Sequence, residues 1–299
     1  MLFHVDGKLV PAAEATVNVR DRGFMYGDAA FETLRVYGGA PFEWEAHADR
    51  LRRTCGTLGF ADALPPAEDL RERVVETVTA NDLSDAYTKL SVTRGVQPGK
   101  LTPDKAVDPT IVVFVSPLPR GGVDGERVWD GSARLATVDA QSVPDAAVPA
   151  DTKTHNYLDG IIARLQIRGT DNDEALRRDA EGSLTEGATS NVFFVEDGRL
   201  LTPTADLPLL AGVTRQVVLE LANEAGVPVE TGRYGPERVR NADEVFVTNS
   251  TWEIRPVERV DEATFDVGLR GVTRHVQPFT RANTARRVSR CDTELRPTV

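Results

Sequence analysis

Hydrophobic residues recur at helical spacing in four stretches of the chain. "EAHADRLRRTCGTLGF" has a glycine stop near its end, and "PPAEDLRERVVETVTAND" carries Leu70, Val74, Val75 and Val78 on one face. "NYLDGIIARLQIRG" places Leu158, Ile161, Ile162 and Leu165 on one side, and "AGVTRQVVLELANEAG" does so with Val213, Val217 and Leu221. Each stretch predicts an amphipathic helix with one apolar face turned towards a core.

The segments between these helices have the short apolar runs and turn residues of β-strands. "FHVDGKLV" predicts two strands around an Asp-Gly turn, and "AFETLRVYGGAPFEW" predicts two strands around a Gly-Gly turn. "AYTKLSVTRG", "DPTIVVFVSPL", "ARLATVDA", "DEALRRD", "SLTEG", "ADEVFVTNS" and "WEIRPVERV" predict single strands, and "SNVFFVEDGRLLTP" predicts a hairpin. The fold class is therefore α+β.

The order of these elements predicts two domains. A small N-terminal domain with strands and two helices covers residues 1–118, and the Pro- and Gly-rich segment 119–131 is typical of a linker. A larger domain covers 132–277. The polar, arginine-rich residues 278–299 are expected to form a solvated tail.

Composition narrows the function classes. The chain has 299 residues, a net charge of −11 and 40% hydrophobic residues. The negative charge argues against a nucleic-acid-binding surface. No apolar run is long enough to cross a bilayer and the N-terminus lacks a targeting pattern, so we expect a cytoplasmic protein without membrane contact. Two distant cysteines and four unpaired histidines match no metal spacing, so no bound metal is expected.

Lys153 is the first candidate for chemistry, because this chain has only five lysines and places this one directly before a predicted helix, followed by Asn156 and Tyr157. An amine in a cleft can lose its proton and attack a carbonyl. Glu186 lies among small residues and could hold a pyridine nitrogen protonated. Both residues also fit ordinary roles, as a surface lysine and a turn glutamate.

Several further residues could bind a phosphate. "AGVTR" opens a helix with Gly212, Val213 and Thr214, where free N–H groups and a hydroxyl favour an anion. "TNST" ends a strand with more hydroxyls, and Arg50 offers a guanidinium fork. Each feature taken alone also fits a helix cap or a solvated surface.

In combination these motifs resemble the class IV aminotransferases, the pyridoxal-phosphate enzymes of fold type IV. "RGFMYGDAAFETLRVY", "HADRL", "KTHNYL", "DEALRRDAEGSLTEGATSNVFFV", "AGVTR" and "NADEVFVTNSTWEIRPV" follow the family order over roughly residues 3–275. The resemblance implies a two-lobed fold with a small α/β lobe and a larger, β-barrel-like lobe with helices. It also implies a homodimer.

The resemblance further implies residue roles. Lys153 would form the Schiff base and move the proton, Glu186 would pair with the pyridine nitrogen, and Tyr157 would lie near the phenolic oxygen of pyridoxal phosphate. The implied phosphate ligands are Arg50, Val213, Thr214 and Ser250 or Thr251. The implied substrate residues are Tyr26, Phe31, Tyr87 and Lys89.

The reaction type stays open between members of this family. An aminotransferase acting on an L-amino acid, branched-chain or similar, and a 2-oxo acid is the first expectation, and aminodeoxychorismate lyase is the alternative. Lys89 stands where branched-chain enzymes carry an arginine, and Gly99 and Leu101 replace the Arg-x-His trap of D-amino acid enzymes. A D-amino acid or (R)-amine transaminase is therefore less favoured. A non-catalytic pyridoxal-phosphate carrier would not need both Lys153 and Glu186.

Overall fold

The computed structural model describes residues 1–118, 129, 131–267 and 272–273. Within them the chain forms two compact units, one from residues 1–118 and 152–156 and the other from the remaining described residues. Most of the predicted linker and the whole predicted tail lie outside the described residues, and the predicted domain boundaries stay a prediction.

The first unit is a six-stranded antiparallel sheet in the order β2-β1-β6-β5-β3-β4. In chain order its elements are β1 (Leu2–Val5), β2 (Lys8–Pro11), α1 (Arg22–Tyr26), β3 (Ala29–Tyr37), β4 (Ala40–Pro41), α2 (Trp44–Thr57), α3 (Ala67–Thr79), β5 (Ala86–Thr93) and β6 (Ile111–Pro117). The two predicted helices and all the predicted strands of this unit are present. The short helix α1 was not predicted.

Helices α2 and α3 cover one face of this sheet, and the residues of the opposite face do not belong to that hydrophobic core. Alternate residues of β3, β5 and β6, such as Leu34, Leu90 and Val113, pack with the apolar sides of α2 and α3 in one hydrophobic cluster. Side chains alternate between the two faces of a strand. The intervening residues of β3 and β5 therefore form a second face, which carries polar and aromatic side chains.

The second unit is a mixed nine-stranded sheet with three helices among its described residues. Its elements are β7 (Ala133–Thr137), α4 (Leu158–Gln166), β8 (Glu174–Arg178), β9 (Leu184–Gly187), β10 (Asn191–Glu196), β11 (Arg199–Pro203), α5 (Val213–Glu224), β12 (Val229–Gly232), α6 (Pro236–Arg240), β13 (Glu244–Asn249), β14 (Glu253–Val260) and β15 (Ala263–Thr264). The short elements α6, β12 and β15 were not predicted.

This sheet curls towards a half-barrel. Its strand order runs β12-β11-β10-β13-β14-β7-β8-β9, with β15 paired to β14. The backbone N–H of Leu184 in β9 donates to the carbonyl oxygen of Tyr234, just beyond β12, at 2.7 Å. Because β9 and β12 stand at opposite ends of the strand order, this bond draws the two edges of the sheet together. The expected β-barrel-like character of the larger unit is confirmed.

Candidate active site

Lys153 lies on a short extended segment that continues the first unit's sheet beyond β3. Thr154 forms a bridge with Ala30, and the N–H of Phe31 donates to the carbonyl oxygen of Lys153 at 2.9 Å. Directly paired residues point to the same face, so Thr154 shares the covered face with Ala30 and the side chain of Lys153 lies on the other face. There the Lys153 ammonium sits 4.5 Å from the centre of the Phe31 ring.

Another predicted site residue, Lys89, shares that face with Phe31 and gives it a positive character. Lys89 is paired with Thr33 across β3 and β5, and its ammonium also lies 4.5 Å from the Phe31 ring centre. Burial and the charge of Lys153 lower the pKa of Lys89. A cation that is partly stripped of water in this way gains by binding an anionic group.

His155 completes this cluster and was not among the predicted site residues. Its ring meets Phe31 edge-on at 5.4 Å, and Nε2 lies 3.2 Å from the Ser91 hydroxyl. Burial and the charge of Lys89 lower the pKa of His155 to about 4. The imidazole is therefore neutral near pH 7 and adds hydrogen-bonding capacity without charge.

The other two predicted substrate residues lie in the same unit. Tyr87 lies on β5 and is paired with Arg35 of β3. Its ring contacts Phe114 edge-on, with 5.7 Å between the ring centres, and burial raises its pKa. Tyr26 ends α1 under the guanidinium of Arg22, 4.9 Å from the ring centre. Tyr87 thus shares the sheet face of Lys89, whereas Tyr26 is held by α1.

Arg50 is fixed by a buried carboxylate on the covered side of the sheet. Nε donates to Oε1 of Glu32 at 2.8 Å and Nη2 donates to Oε2 at 2.6 Å, while His47 Nδ1 lies 2.7 Å from Oε2. Burial alone raises the pKa of Glu32, but the charge and hydrogen bonds of Arg50 and His47 outweigh it and hold the pKa at about 2. The predicted phosphate ligand is thus oriented by a fork of two hydrogen bonds.

Glu186 stands on β9 in the second unit and accepts hydrogen bonds at both carboxylate oxygens. Arg177 Nη2 donates to Oε1 at 2.9 Å, and Oε2 accepts from Asn191 Nδ2 at 3.2 Å and from the N–H of Leu210 at 3.1 Å. Burial lowers the pKa of the nearby Arg215, and the negative charge of Glu186 partly offsets this shift by raising the pKa. The carboxylate is therefore embedded among donors and cations.

The predicted phosphate helix begins tightly against Asn191. Gly212 caps α5, and a Cβ at that position would approach Asn191 Oδ1 to 2.2 Å, so a side chain there has no room. Val213 and Thr214 form the first turn and are buried, and the N-cap residue Gly212 has no side chain that could accept from the N–H groups of that turn. The helix start therefore presents backbone donors and a hydroxyl, the groups that an anion needs.

The hydroxyl groups near the end of β13 differ in their hydrogen bonding. Ser250 and Thr251 lie in the turn between β13 and β14, where the Thr251 hydroxyl and N–H both bond to Asn249 Oδ1, at 2.9 and 3.0 Å. Thr248 is 1% exposed, and its hydroxyl has no hydrogen-bond partner among the described residues. An unsatisfied buried hydroxyl of this kind is the group that an additional ligand would complete.

Tyr157 precedes α4 and lines an open cavity of about 510 Å³ along that helix. Ile161, Leu165, Arg164 and Arg168 also line it. The structure thus places the predicted Tyr157 at the start of the α4 surface.

Sequence reasoning missed the residues that hold the predicted ones in place. Glu32 and His47 orient Arg50, while Arg177 and Asn191 orient Glu186. A signal was available for Arg177, because "DEALRRD" places this arginine directly after the apolar residues Ala175 and Leu176 of a predicted strand. For Asn191 only the tertiary pairing reveals the contact.

Comparison with known proteins identifies the family. The sequence model of the family described as amino-transferase class IV matches residues 29–260. A putative branched-chain-amino-acid aminotransferase of Methanocaldococcus jannaschii is 36% identical over 87% of this chain and 88% of its own. A D-alanine aminotransferase of Listeria monocytogenes is 32% identical over 89% of this chain and 90% of its own.

Solved structures agree with this match. A branched-chain aminotransferase from Thermoproteus uzoniensis with norvaline has a TM-score of 0.85 at 28% identity, covering 95% of both chains. A second branched-chain aminotransferase, complexed with N-(5'-phosphopyridoxyl)-L-glutamate, scores 0.82 at 26%, covering 95% of this chain and 94% of its own. The 4-amino-4-deoxychorismate lyase of Pseudomonas aeruginosa scores 0.79 at 34%, covering 92% and 97%.

The chain belongs to the class IV aminotransferase family. It is a pyridoxal-phosphate enzyme with a small-molecule substrate, of the aminotransferase or aminodeoxychorismate lyase type. The resemblance given by its motifs is confirmed. None of the described helices combines the length and hydropathy that a membrane span requires.

The residues of this chain fit that cofactor. The tight α5 start at Gly212 and the Thr248 hydroxyl, which has no partner among the described residues, are groups of the kind that bind a phosphate, and the Glu186 carboxylate is a group of the kind that pairs with a pyridine nitrogen. In the first unit, Lys153 offers a primary amine of the kind that forms a Schiff base with an aldehyde. When bound, pyridoxal phosphate withdraws electrons from the substrate's α-carbon and so makes its proton removable.

Proposed function

We propose that this enzyme is an aminotransferase that moves an amino group between an L-amino acid, branched-chain or similar, and a 2-oxo acid. The observation that carries the proposal is the cluster of Lys153, Lys89 and Phe31 on one face of the first unit's sheet. It combines an amine for cofactor attachment and proton transfer with a second cation and an aromatic surface for the substrate.

Each residue of that cluster has a separate task in the proposal. Lys153 holds the cofactor and, once released, accepts the α-proton of the substrate. Phe31 packs against the apolar part of the substrate side chain. Lys89 binds a distal carboxylate when the amino-group partner is dicarboxylic, as glutamate is, because its desolvated charge favours an anion.

In the second unit the proposed roles concern the cofactor alone. Glu186 pairs with the ring nitrogen, and its ionised form keeps that nitrogen protonated. Val213, Thr214, Ser250 and Thr251 are proposed to bind the phosphate, and Tyr157 is proposed to face the phenolic oxygen. The start of α5 at Gly212, whose cap residue has no side chain, and the buried hydroxyl of Thr248 support the phosphate site.

A lyase acting on 4-amino-4-deoxychorismate is the second candidate. Two observations favour it. The chain is 34% identical to the Pseudomonas aeruginosa lyase, and Lys89 suits a substrate with two carboxylates as well as it suits glutamate. Both reactions begin with removal of the same α-proton by a lysine amine, so they diverge only in the group that leaves afterwards.

A half-reaction separates the two candidates. The holoenzyme is mixed with single amino acids and no acceptor, and its visible absorption band is followed. An aminotransferase loses the band with one L-amino acid, such as glutamate or leucine, and releases the matching 2-oxo acid. If the band survives the whole L-amino acid panel, the aminotransferase proposal is wrong, and pyruvate release from 4-amino-4-deoxychorismate then tests the lyase.

Two variants serve as controls in the same experiment. Lys153→Ala is expected to abolish the half-reaction, and full turnover in this variant would contradict the central role of the lysine. Lys89→Met is expected to weaken the binding of glutamate roughly 10-fold or more, while the binding of leucine changes little. Only glutamate places a second carboxylate near the Lys89 ammonium. An equal loss for both donors would contradict the role given to Lys89.

We further propose that the enzyme is a homodimer that uses the exposed face of α4. The side chains of Leu158, Ile161, Ile162 and Leu165 are between 44% and 67% exposed. A contiguous apolar stripe of this size is typical of an interaction surface. In analytical ultracentrifugation the native chain is expected to sediment as a dimer, and the double variant Ile161→Glu/Leu165→Glu is expected to sediment as a monomer. A monomeric native chain would rule out this proposal.

A further inference from the structure

Arg177 lies between two carboxylates in the second unit. Its Nη2 donates to Glu186 Oε1 at 2.9 Å, and its Nη1 contacts Oδ2 of Asp159 in the first turn of α4. The side chain of Arg177 is 6% exposed, against 13% for Glu186 and 25% for Asp159. One buried cation thus bridges the strand that carries Glu186 and the start of a helix.

The backbone brings Arg177 and Glu186 face to face. Along the β8–β9 pair Leu176 opposes Gly187, while Arg178 opposes Leu184, so the register shifts between them. Two residues of β9, Thr185 and Glu186, therefore oppose the single residue Arg177 of β8. A bulge of this type turns a side chain away from the regular alternation, and here it brings Glu186 within hydrogen-bonding distance of the guanidinium.

The two oxygens of Glu186 are held by different kinds of donor. Oε1 accepts from the charged Arg177, while Oε2 accepts from the neutral amide of Asn191 and the backbone N–H of Leu210. Contacts at both oxygens fix the plane of the carboxylate. An arginine stays charged in proteins, so the contact with Arg177 places a fixed positive charge beside Oε1.

We propose that Arg177 is a positioning residue that keeps the Glu186 carboxylate oriented towards the ring nitrogen of the cofactor, while Asp159 balances the buried guanidinium. The inference rests on the proposed role of Glu186. It adds that Glu186 acts as one member of the linked set Asp159–Arg177–Glu186.

The balance of charge explains why the third member is needed. Two carboxylates share the guanidinium of Arg177, so Asp159 offsets part of the positive charge that Arg177 would otherwise place beside Glu186. If Arg177 faced Glu186 alone, the pair would be neutral and would attract a protonated ring less. Asp159 therefore strengthens the site without touching the cofactor.

The test is the affinity of the apoenzyme for pyridoxal phosphate, measured by quenching of tryptophan fluorescence. Arg177→Met is expected to raise the dissociation constant roughly 10- to 100-fold, the usual effect of losing a charged hydrogen bond in a buried setting. Arg178→Met is the matched control, because the neighbouring guanidinium reaches Val138 O at 3.4 Å and lies 3.8 Å from the exposed Asp139. This control is expected to change the affinity less than about 2-fold.

A double-mutant cycle separates positioning from a general structural effect. In a Glu186→Gln background Arg177→Met is expected to add less than about 2-fold, because the carboxylate it orients is already gone. A purely structural role of Arg177 predicts the same factor in both backgrounds, and that result would overturn the inference.

The same cycle distinguishes this inference from the proposed function. Glu186→Gln with unchanged cofactor affinity would show that the role of Glu186 is wrong. If Glu186→Gln weakens cofactor binding but Arg177→Met does not, the role of Glu186 stands and only the inference about Arg177 is overturned. If Arg177→Met does not fold, the Asp159→Asn/Arg177→Met variant, which removes the cation together with one carboxylate, carries the test with the same expected loss of affinity.

Discussion

Glu32 and Glu186 are two carboxylates bonded to arginine, one in each unit, but they differ in what surrounds them. Glu32 is 1% exposed, and its oxygens face the charged fork of Arg50 and the ring of His47. Glu186 is more exposed and divides its oxygens between an arginine and neutral donors. Removing a carboxylate closed in by an arginine and a histidine leaves a buried charge uncompensated, whereas a carboxylate held partly by neutral donors keeps attraction for a cationic ligand.

The largest expected effect is on stability, at Glu32. Glu32→Gln leaves the Arg50 guanidinium buried without its charge partner, so we expect a loss of about 3–5 kcal/mol in the free energy of unfolding. Urea denaturation of the apoenzyme measures it. Glu68→Gln is the control, because Glu68 pairs with Arg71 at the surface with 44% of its side chain exposed, and a change within about 0.5 kcal/mol is expected there. Equal effects of the two variants would contradict the comparison.

Glu186→Gln is expected to cost less stability. The variant loses the charge that Arg177 contacts, but Asp159 still balances the guanidinium and an amide can keep one hydrogen bond. We expect a loss of about 1–3 kcal/mol in the apoenzyme, together with weaker cofactor binding. Denaturation with and without pyridoxal phosphate separates the two effects. A larger loss than in Glu32→Gln would reverse the order given to the two carboxylates.

Acid should act on Glu32 within a defined window. Its folded pKa of about 2 lies below the ordinary value of 4.5, so the unfolded chain binds more protons between these values. Stability from this group is therefore complete above pH 4.5 and is lost as the pH falls towards 2. When the free energy of unfolding is measured at stepped pH and plotted against pH, its slope in that window should be smaller for Glu32→Gln than for the native chain. Parallel curves would show that Glu32 is not the titrating group.

His155 gives the smallest expected effect and a different window. Burial and Lys89 lower its pKa from 6.5 to about 4, so protonation favours the unfolded chain as the pH falls from 6.5 towards 4. His155→Gln should flatten the stability curve there while changing stability at pH 7 by about 1 kcal/mol or less. An unchanged slope between pH 6.5 and 4 in this variant would count against the shift.

The helices show how far the hydrophobic pattern leads. α4 and α5 were predicted from the same kind of apolar stripe and both are present. In α5 the stripe is buried, with Val217 at 2% and Leu221 at 8% exposure. In α4 the stripe is exposed, and the small residues Gly160 and Ala163 pack inward instead. A periodic stripe thus predicts a helix, but it does not tell which face the fold covers.

Short elements and supporting contacts escaped prediction for physical reasons. α1 and α6 have five residues each, too few for a hydrophobic period to repeat. The bonds of Glu32 to Arg50 and of Arg177 to Glu186 join positions 18 and 9 residues apart. Composition and spacing identified the Lys153 and Glu186 motifs, yet they gave no sign of which side chains would orient them.

The sequence by itself determined the longer helices and strands, the α+β class and, through its ordered motifs, the family. These follow from local periodicity and from residue types at fixed spacings, which are properties of the chain alone. The tertiary structure decided the sheet face that Lys153 shares with Lys89, the exposure of α4 and the bulge that joins Arg177 to Glu186. Those features depend on strand register and on contacts between distant residues, because a shift of one residue in a strand turns every side chain to the opposite face.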